Sequence, residues 1–162
     1  DVGNLTNSAY SWPAGHQSDT HGYTSVATRL LPTHANSSEI DKFAFASDAN
    51  ATVVGNQTVA RYGGTGTSSS TYGYNCGGNT DGPTINVIDR FSFTSDGNGT
   101  DWADLSAVNY SSGGSQSTTH GYSLGGGTDS TRMDKFPYAS ATNATDIANL
   151  AVGGKAKASA QY

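Results

Sequence analysis

Asp19 and His21 stand two residues apart in the stretch GHQSDTHGY, residues 15–23, which also holds Ser18. These side-chain types can form an activated nucleophile, with Ser attacking, His taking its proton and Asp orienting the ring. The rest of that chemistry is missing from the sequence, because no nucleophile elbow or oxyanion-hole segment accompanies the three residues. The glycine runs GGTG (63–66) and GGGT (125–128) lack the Lys and the following helix of a phosphate-binding loop. Glycoside hydrolysis needs two carboxylates ~5–10 Å apart across a cleft, and the Asp residues here fall mainly in turn-forming segments. Asp96, Asn98 and Asp101 in DGNGTD offer the alternating oxygens that a calcium ion takes. The position of Asp96 is held by Ala141 in a later copy of the segment and that of Asp101 by Val53 in an earlier one, which favours an Asx turn. The expectation is a protein that is not an enzyme and carries no cofactor.

The stretch GHQSDTHGY returns, as GTSSSTYGY over 66–74 and as GSQSTTHGY over 114–122. Tyr72 stands in the second copy where His21 and His120 stand in the others. A metal ligand or general base does not tolerate that exchange, whereas an aromatic group that packs or stacks does. His21, Tyr72 and His120 are therefore candidates for stacking on a ligand. The simpler role for the motif is a strand in which Gly22 permits close approach and Tyr23 enters a core.

Two further segments recur in fixed order. IDKFAF (40–45) returns as IDRFSF (88–93) and MDKFPY (133–138), and each is followed five residues on by Asn50, Asn98 or Asn143. Then comes VVGNQT (53–58), DWADLS (101–106) or DIANLA (146–151), and DVGNLT (1–6) is a further copy of that piece. Tyr23, Tyr74, Tyr122 and Tyr162 lie 51, 48 and 40 residues apart. The period is thus about 45–50 residues, which marks a repeat architecture. Approximate copies run 1–39, 40–87, 88–132 and 133–162, the last of them shortened.

Each period reads as strands and turns. Phe43 and Phe45 alternate with Lys42 and Ala44, as in a half-buried strand, and Phe91/Phe93 and Phe136/Tyr138 repeat the pattern. All six aromatics are expected to be mostly buried. Pro137 cannot donate a ladder hydrogen bond, so its strand is expected to pair weakly there or lie at an edge. SDANAT and SDGNGTD read as turns, DVGNL and DWADL as short strands, and THGYTS, TYGYNCGG and THGYSLGGG as strands running into tight turns. The stretch from Ala144 to Ala160 is the one rival helix segment, and Gly153-Gly154 breaks it.

Gly makes up 21 of 162 residues, nearly twice the usual ~7 %, and only 13 % of residues are charged. A disordered chain of such low hydrophobicity carries more charge and fewer aromatics than the nine Tyr, five Phe and two Trp present here. The net charge is −5 with no basic patch, which argues against nucleic acid as a partner. No run of 18 apolar residues exists to insert as a helix in a membrane. The single Cys76 has no partner within the chain and reads as a small buried thiol. Seven Asn-x-Ser/Thr matches, at Asn4, Asn36, Asn50, Asn56, Asn98, Asn109 and Asn143, follow from the Asn- and Thr-rich turns.

The order IDKFAF, VVGNQT, TYGYNCGG resembles the kelch repeat, with Gly77-Gly78 and Gly125-Gly126 at its double glycine and Trp102 and Leu105 at its Trp-x-x-Leu pair. More closely, the set is similar to a degenerate kelch-type array of marine phage and environmental sequences. VATRLLP (26–32) stands in the first copy where the double glycine belongs. The resemblance implies an all-β fold of four-stranded β-propeller-type blades, about three and a half of them. Closed propellers typically have 4–8 blades, so these are incomplete alone. Chain 1–162 is then an excerpt of a longer repeat domain or one protomer that associates with copies of itself.

The resemblance also implies a non-enzymatic binding or structural module, a phage virion or extracellular adhesion component meeting a cell-surface glycan or protein. The alternatives are an ordinary kelch-type protein-interaction scaffold and, behind it, an enzyme on a propeller. Variation among matched copies marks surfaces under functional demand. Such loops here are 34–39, 79–83 and 127–131, which makes His34, Asn36, Asn79, Asp81 and Asp129 candidate ligand contacts alongside His21, Tyr72 and His120.

Overall fold

The computed structural model describes residues 3–6, 10–29, 35–127 and 130–155. Those residues contain no helix, and their strands form three antiparallel sheets. The first sheet comprises β1 (Tyr10–Ser11), β2 (Ala14–Gln17), β3 (His21–Arg29), β4 (Ala35–Ala44) and β5 (Thr52–Asn56). It is a meander in which β2 and β1 share one edge of β3, followed by β4 and β5. The second sheet runs β6 (Thr65–Ser68), β7 (Tyr72–Asn79), β8 (Thr84–Ser92) and β9 (Thr100–Asp104), and the third β10 (Gly113–Gln116), β11 (His120–Leu124), β12 (Arg132–Pro137) and β13 (Thr145–Asn149). The expected all-β class holds. The copy boundaries at 39/40, 87/88 and 132/133 run through β4, β8 and β12, so a complete sheet starts at the recurring Gly-to-Tyr hairpin.

The period-2 alternation of the strands decides how the sheets meet. Tyr23 pairs across with Lys42, Tyr74 with Arg90 and Tyr122 with Lys135, so the three Tyr project from the same face of their sheets, which in the first two looks toward the next sheet. The opposite face of each sheet carries Asp41-Phe43, Asp89-Phe91 or Asp134-Phe136. Tyr23 stacks on Phe93 with centroids 4.7 Å apart and touches Phe91 at 5.6 Å, while Tyr74 repeats both contacts with Tyr138 at 4.7 Å and Phe136 at 5.5 Å. One core lies between the first two sheets, with Tyr23, Ile40 and Phe91, and a larger one between the second and third, with Tyr74, Cys76, Ile88, Leu105 and Phe136.

The glycine in each His/Tyr-Gly-Tyr triplet is required by this packing. A Cβ on Gly73 would lie 2.4 Å from the Phe91 ring, and one on Gly121 the same distance from the Phe136 ring. The Phe lies flat across the neighbouring strand, and only Gly leaves it room.

A buried carboxylate repeats with the aromatics. Asp41, Asp89 and Asp134 are 1 %, 0 % and 1 % exposed. Each accepts from a hydroxyl at the end of the preceding DVGNLT-type segment: Thr6 at 2.6 Å, Thr58 at 2.6 Å and Ser106 at 2.5 Å. Two residues before each hydroxyl, the backbone N–H of Asn4, Asn56 or Asp104 donates to Asn50, Asn98 or Asn143. The recurring Asn is thus a clamp on the neighbouring segment as well as a turn former.

Several expectations are corrected. Of the six recurring aromatics only Phe91 and Phe136 are buried; Phe43, Phe93 and Tyr138 are half-buried and Phe45 is 54 % exposed. The reason for Phe43 and Phe45 is that no sheet precedes theirs. Residues 3–5 form no strand; they lie on the first sheet through the Asn4 bonds. Gly77 and Gly78, with φ of 64° and 123°, make a bulge inside β7 and not a turn at its end. The first sheet has its own register shift between Ser25 and Ala27 without any glycine. Pro137 ends β12 beyond the last pairing with β13, Lys135 to Thr145, so it breaks no ladder bond on that side.

Candidate functional site

The described residues named as candidate ligand contacts lie at the two rims of the stacked sheets. On one rim are Asn36, Asn79 and Asp81. Asn36 Nδ2 donates to the Asn79 carbonyl at 3.4 Å, and its Oδ1 accepts from Thr28. Asn79 bonds to Tyr62 through both backbone groups, its Nδ2 donates to Thr84 and its Oδ1 accepts the Asp81 N–H. The sequence placed these two asparagines in separate loops, and the structure brings them together as framework. Asp81, with φ of 67°, is left at the exposed tip of the β7–β8 hairpin. His34 and Asp129 lie outside the described residues.

At the other rim His21, Tyr72 and His120 begin β3, β7 and β11 at equivalent positions. Nδ1 of His21 bonds Thr20 Oγ1 at 2.9 Å, and Nδ1 of His120 bonds Thr119 Oγ1 at 2.8 Å. Tyr72 has one face covered by the Arg90 guanidinium, 4.3 Å from its centroid, which in turn lies 3.6 Å over Trp102. That arrangement makes Tyr72 a packing residue. Ser18 Oγ serves the turn, accepting from the N–H groups of Thr20 and His21 and donating to the His21 carbonyl, so its proton is directed at the backbone and not at the His21 ring.

Beside these residues the three hairpin tips converge on a groove of about 320 Å³, lined by Gln17–Asp19, Ser68–Ser70 and Gln116–Thr118. The tips are stitched together: Gln17 N–H donates to Ser68 Oγ, and Ser68 N–H donates to Gln116 Oε1 at 2.7 Å. Ser69 and Ser117 cap their turns as Ser18 does. Asp19, Ser70 and Thr118 remain exposed at the three tips. Apart from Ser18 and Asp19, considered only for a catalytic triad, these groove residues were overlooked in the sequence, although the polar Ser/Thr-rich run between each Gly and Tyr was the visible signal.

The DGNGTD side chains stand in different settings. Asp96 bridges to Lys42 at 2.9 Å, Asn98 Oδ1 is used by the Asn56 N–H, and burial raises the pKa of Asp101. Among the described residues no group of three His, Cys, Asp or Glu is placed to hold a metal.

His16 is a buried imidazole within the stack. Its Nδ1 donates to the Thr67 carbonyl at 3.2 Å, its Nε2 accepts from Ser25 Oγ at 2.8 Å, and its ring edge meets Phe91 at 5.0 Å. Burial pushes its pKa from 6.5 down to about 4, against a smaller opposing effect of the Thr67 carbonyl. The unfolded chain therefore takes up a proton at this position before the folded one does. The stability contributed by neutral His16 is fully present above pH ~6.5 and is lost as pH falls toward ~4, up to about 3 kcal/mol. Denaturant melts between pH 7 and 4 should show this loss in the wild type and a shallower one in His16→Gln; identical slopes would refute it.

Cys76 is buried and burial pushes its thiol pKa up, so it acts as a small apolar group. No protein-family model matches the chain, and no curated protein matches it.

Proposed function

We propose that this chain is a non-enzymatic binding module whose sheets are propeller-type blades, serving as an extracellular or virion component that holds a surface glycan at the hairpin-tip rim. The blade reading is supported by the succession of three meanders whose first strands, β2, β6 and β10, lie side by side. The observation that carries the binding reading is the groove itself. Three copies of one hairpin supply hydroxyls, amides and the Asp19 carboxylate around a space suited to one or two sugar rings, with no apolar side chain in its lining. Such a surface recognises a hydroxyl-rich ligand by exchange of hydrogen bonds, which gives weak single contacts strengthened by repetition.

Asp19→Ala, Ser70→Ala and Thr118→Ala together should weaken binding to any glycan retained on an array at least tenfold. The same triple variant should keep the wild-type melting temperature, since exposed substitutions shift stability by only about 0.5 kcal/mol. Unchanged glycan binding would remove the groove as the site.

A protein-interaction scaffold is the second reading, favoured by the opposite rim. There Trp12 is 62 % exposed, stacks on Tyr62 at 5.4 Å and holds a φ of 56° unusual for a bulky residue.

A further inference from the structure

We propose that two copies of this chain associate head to tail, the third sheet of each docking on the first sheet of the other to close a ring of six sheets. Among the described residues the two end faces of the stack present the two halves of an aromatic contact that the chain makes twice internally. Tyr23 covers Phe91 and Phe93, and Tyr74 covers Phe136 and Tyr138. By the same step Tyr122, which has no ring partner among the described residues, would cover Phe43 and the exposed Phe45 of the next copy. The Phe43 side borders a cavity of about 470 Å³ that also reaches Gly15, Gly66 and Gly114.

Gly15 is the residue that the isolated chain does not explain. A Cβ on Gly66 would stand 2.1 Å from the Gly15 carbonyl oxygen, and one on Gly114 would stand 2.2 Å from the Gly66 oxygen, so those two glycines let neighbouring first strands touch. Gly15 has nothing within 4 Å of the same point. Its Cα faces the place where the Gly114 carbonyl of a preceding copy would come. Trp12 repeats the lesson at the rim. Gly63 donates its N–H to the Trp12 carbonyl, and Ser111 donates to that of Gly63, all three with left-handed φ. The next bond in the series would run from Trp12 N–H to Ser111 of the other copy.

One segment must give way at each junction. Residues 4–6 already make on the first sheet the bonds that Asn149–Ala151 would make there, and Ala151 has no hydroxyl for Asp41 where Thr6 supplies one. Thr6 therefore keeps its place. The end of β13, exposed along its whole length, is displaced. A head-to-tail contact forms a ring when its rotation closes, and six sheets lie within the ~4–8 blades of closed propellers. The inference rests on the stacking of the sheets and is independent of what the hairpin rim binds.

Sedimentation velocity of the 162-residue chain in the micromolar range should give twice the mass of one chain. Gly15→Val should sediment as a single chain with an unchanged melting temperature, because a Cβ at this point meets nothing within 4 Å in its own fold. Phe45→Asp and Tyr122→Asp should each be monomeric alone and should pair when mixed, since the mixture restores one intact junction. A wild-type chain at monomer mass, a mass that grows without limit with concentration, or a mixture that fails to pair would overturn the closed dimer. If Gly15→Val lowers the melting temperature, the mixing experiment alone decides. Glycan binding lost without a change of mass would count against the rim and leave this interface standing.

Discussion

Replacing Asp89 by Asn is expected to lower the unfolding free energy by about 3–5 kcal/mol, the usual cost of breaking a buried ion pair from one side. Asp89 Oδ2 lies 3.0 Å from Arg61 Nη2, and both side chains are 0 % exposed. The Arg61 guanidinium has one further bond, to the Asn75 carbonyl at 3.1 Å, while its Nε and Nη1 meet no partner among the described residues. Burial pulls the Arg61 pKa down and the Asp89 charge opposes it, but the group stays a cation at any working pH. With Asn at 89 the amide oxygen can still accept from Thr58, so what is lost is the compensation of a charge that cannot reach water.

Two comparisons isolate that cause. Asp134→Asn should cost less, because its partner Arg132 is 21 % exposed and can turn to solvent. The double variant Asp89→Leu/Arg61→Met should recover much of the loss, since apolar residues in place of a buried pair are often neutral or better. Urea melts at pH 7 measure all three. A loss below about 1 kcal/mol for Asp89→Asn would mean that the pair is hydrated, and the buried reading would fail.

This carboxylate shows where reading the sequence stopped. The Asp of IDKF, IDRF and MDKF is present in every copy, and Thr6, Thr58 and Ser106 recur at the sixth position of the neighbouring segment. Both halves of the bond were visible. Their pairing was not, because it joins consecutive sheets and depends on a register shift between Ile40 and Asp41, and again between Ile88 and Asp89 and between Met133 and Asp134. Strand alternation was legible from Phe43, Phe91 and Phe136 alone, since a period of two survives without knowledge of the neighbours. Arg61 was not legible, for its counterpart in the next copy is Asn109, which bonds Ser123 and the Gly125 carbonyl instead. The Asn36–Asn79 contact was also hidden, as it joins the start of β4 to the end of β7, 43 residues apart, where variation in sequence suggested solvent-facing loops. The groove at the hairpin tips arises only when three copies of a polar turn are set side by side.

Phe136→Ala is expected to cost about 3–5 kcal/mol, whereas Phe45→Ala should change stability by about 0.5 kcal/mol or less. The two residues belong to the same recurring aromatic pair, so intrinsic strand preference separates them little. Environment separates them: Phe136 is 0 % exposed and Phe45 is 54 % exposed. Phe136 lies over Gly121, touches Tyr74 at 5.5 Å and Tyr138 at 5.8 Å, and its removal leaves a hole that the rigid ladder on both sides of β12 cannot close. Among the described residues the one ring contact of Phe45 is with Phe43, at 5.9 Å, and it stands on the end face of the first sheet beside residues 3–5. The comparison also reads the assembly. Measured on the Gly15→Val monomer, Phe45→Ala should be near neutral, while in a wild-type background that pairs it should lower the melting temperature by an amount that grows with the logarithm of protein concentration. Equal losses for Phe136→Ala and Phe45→Ala in the monomer would show that the end sheet is covered within one chain, and the stacking order derived from Tyr23 and Tyr74 would have to be abandoned.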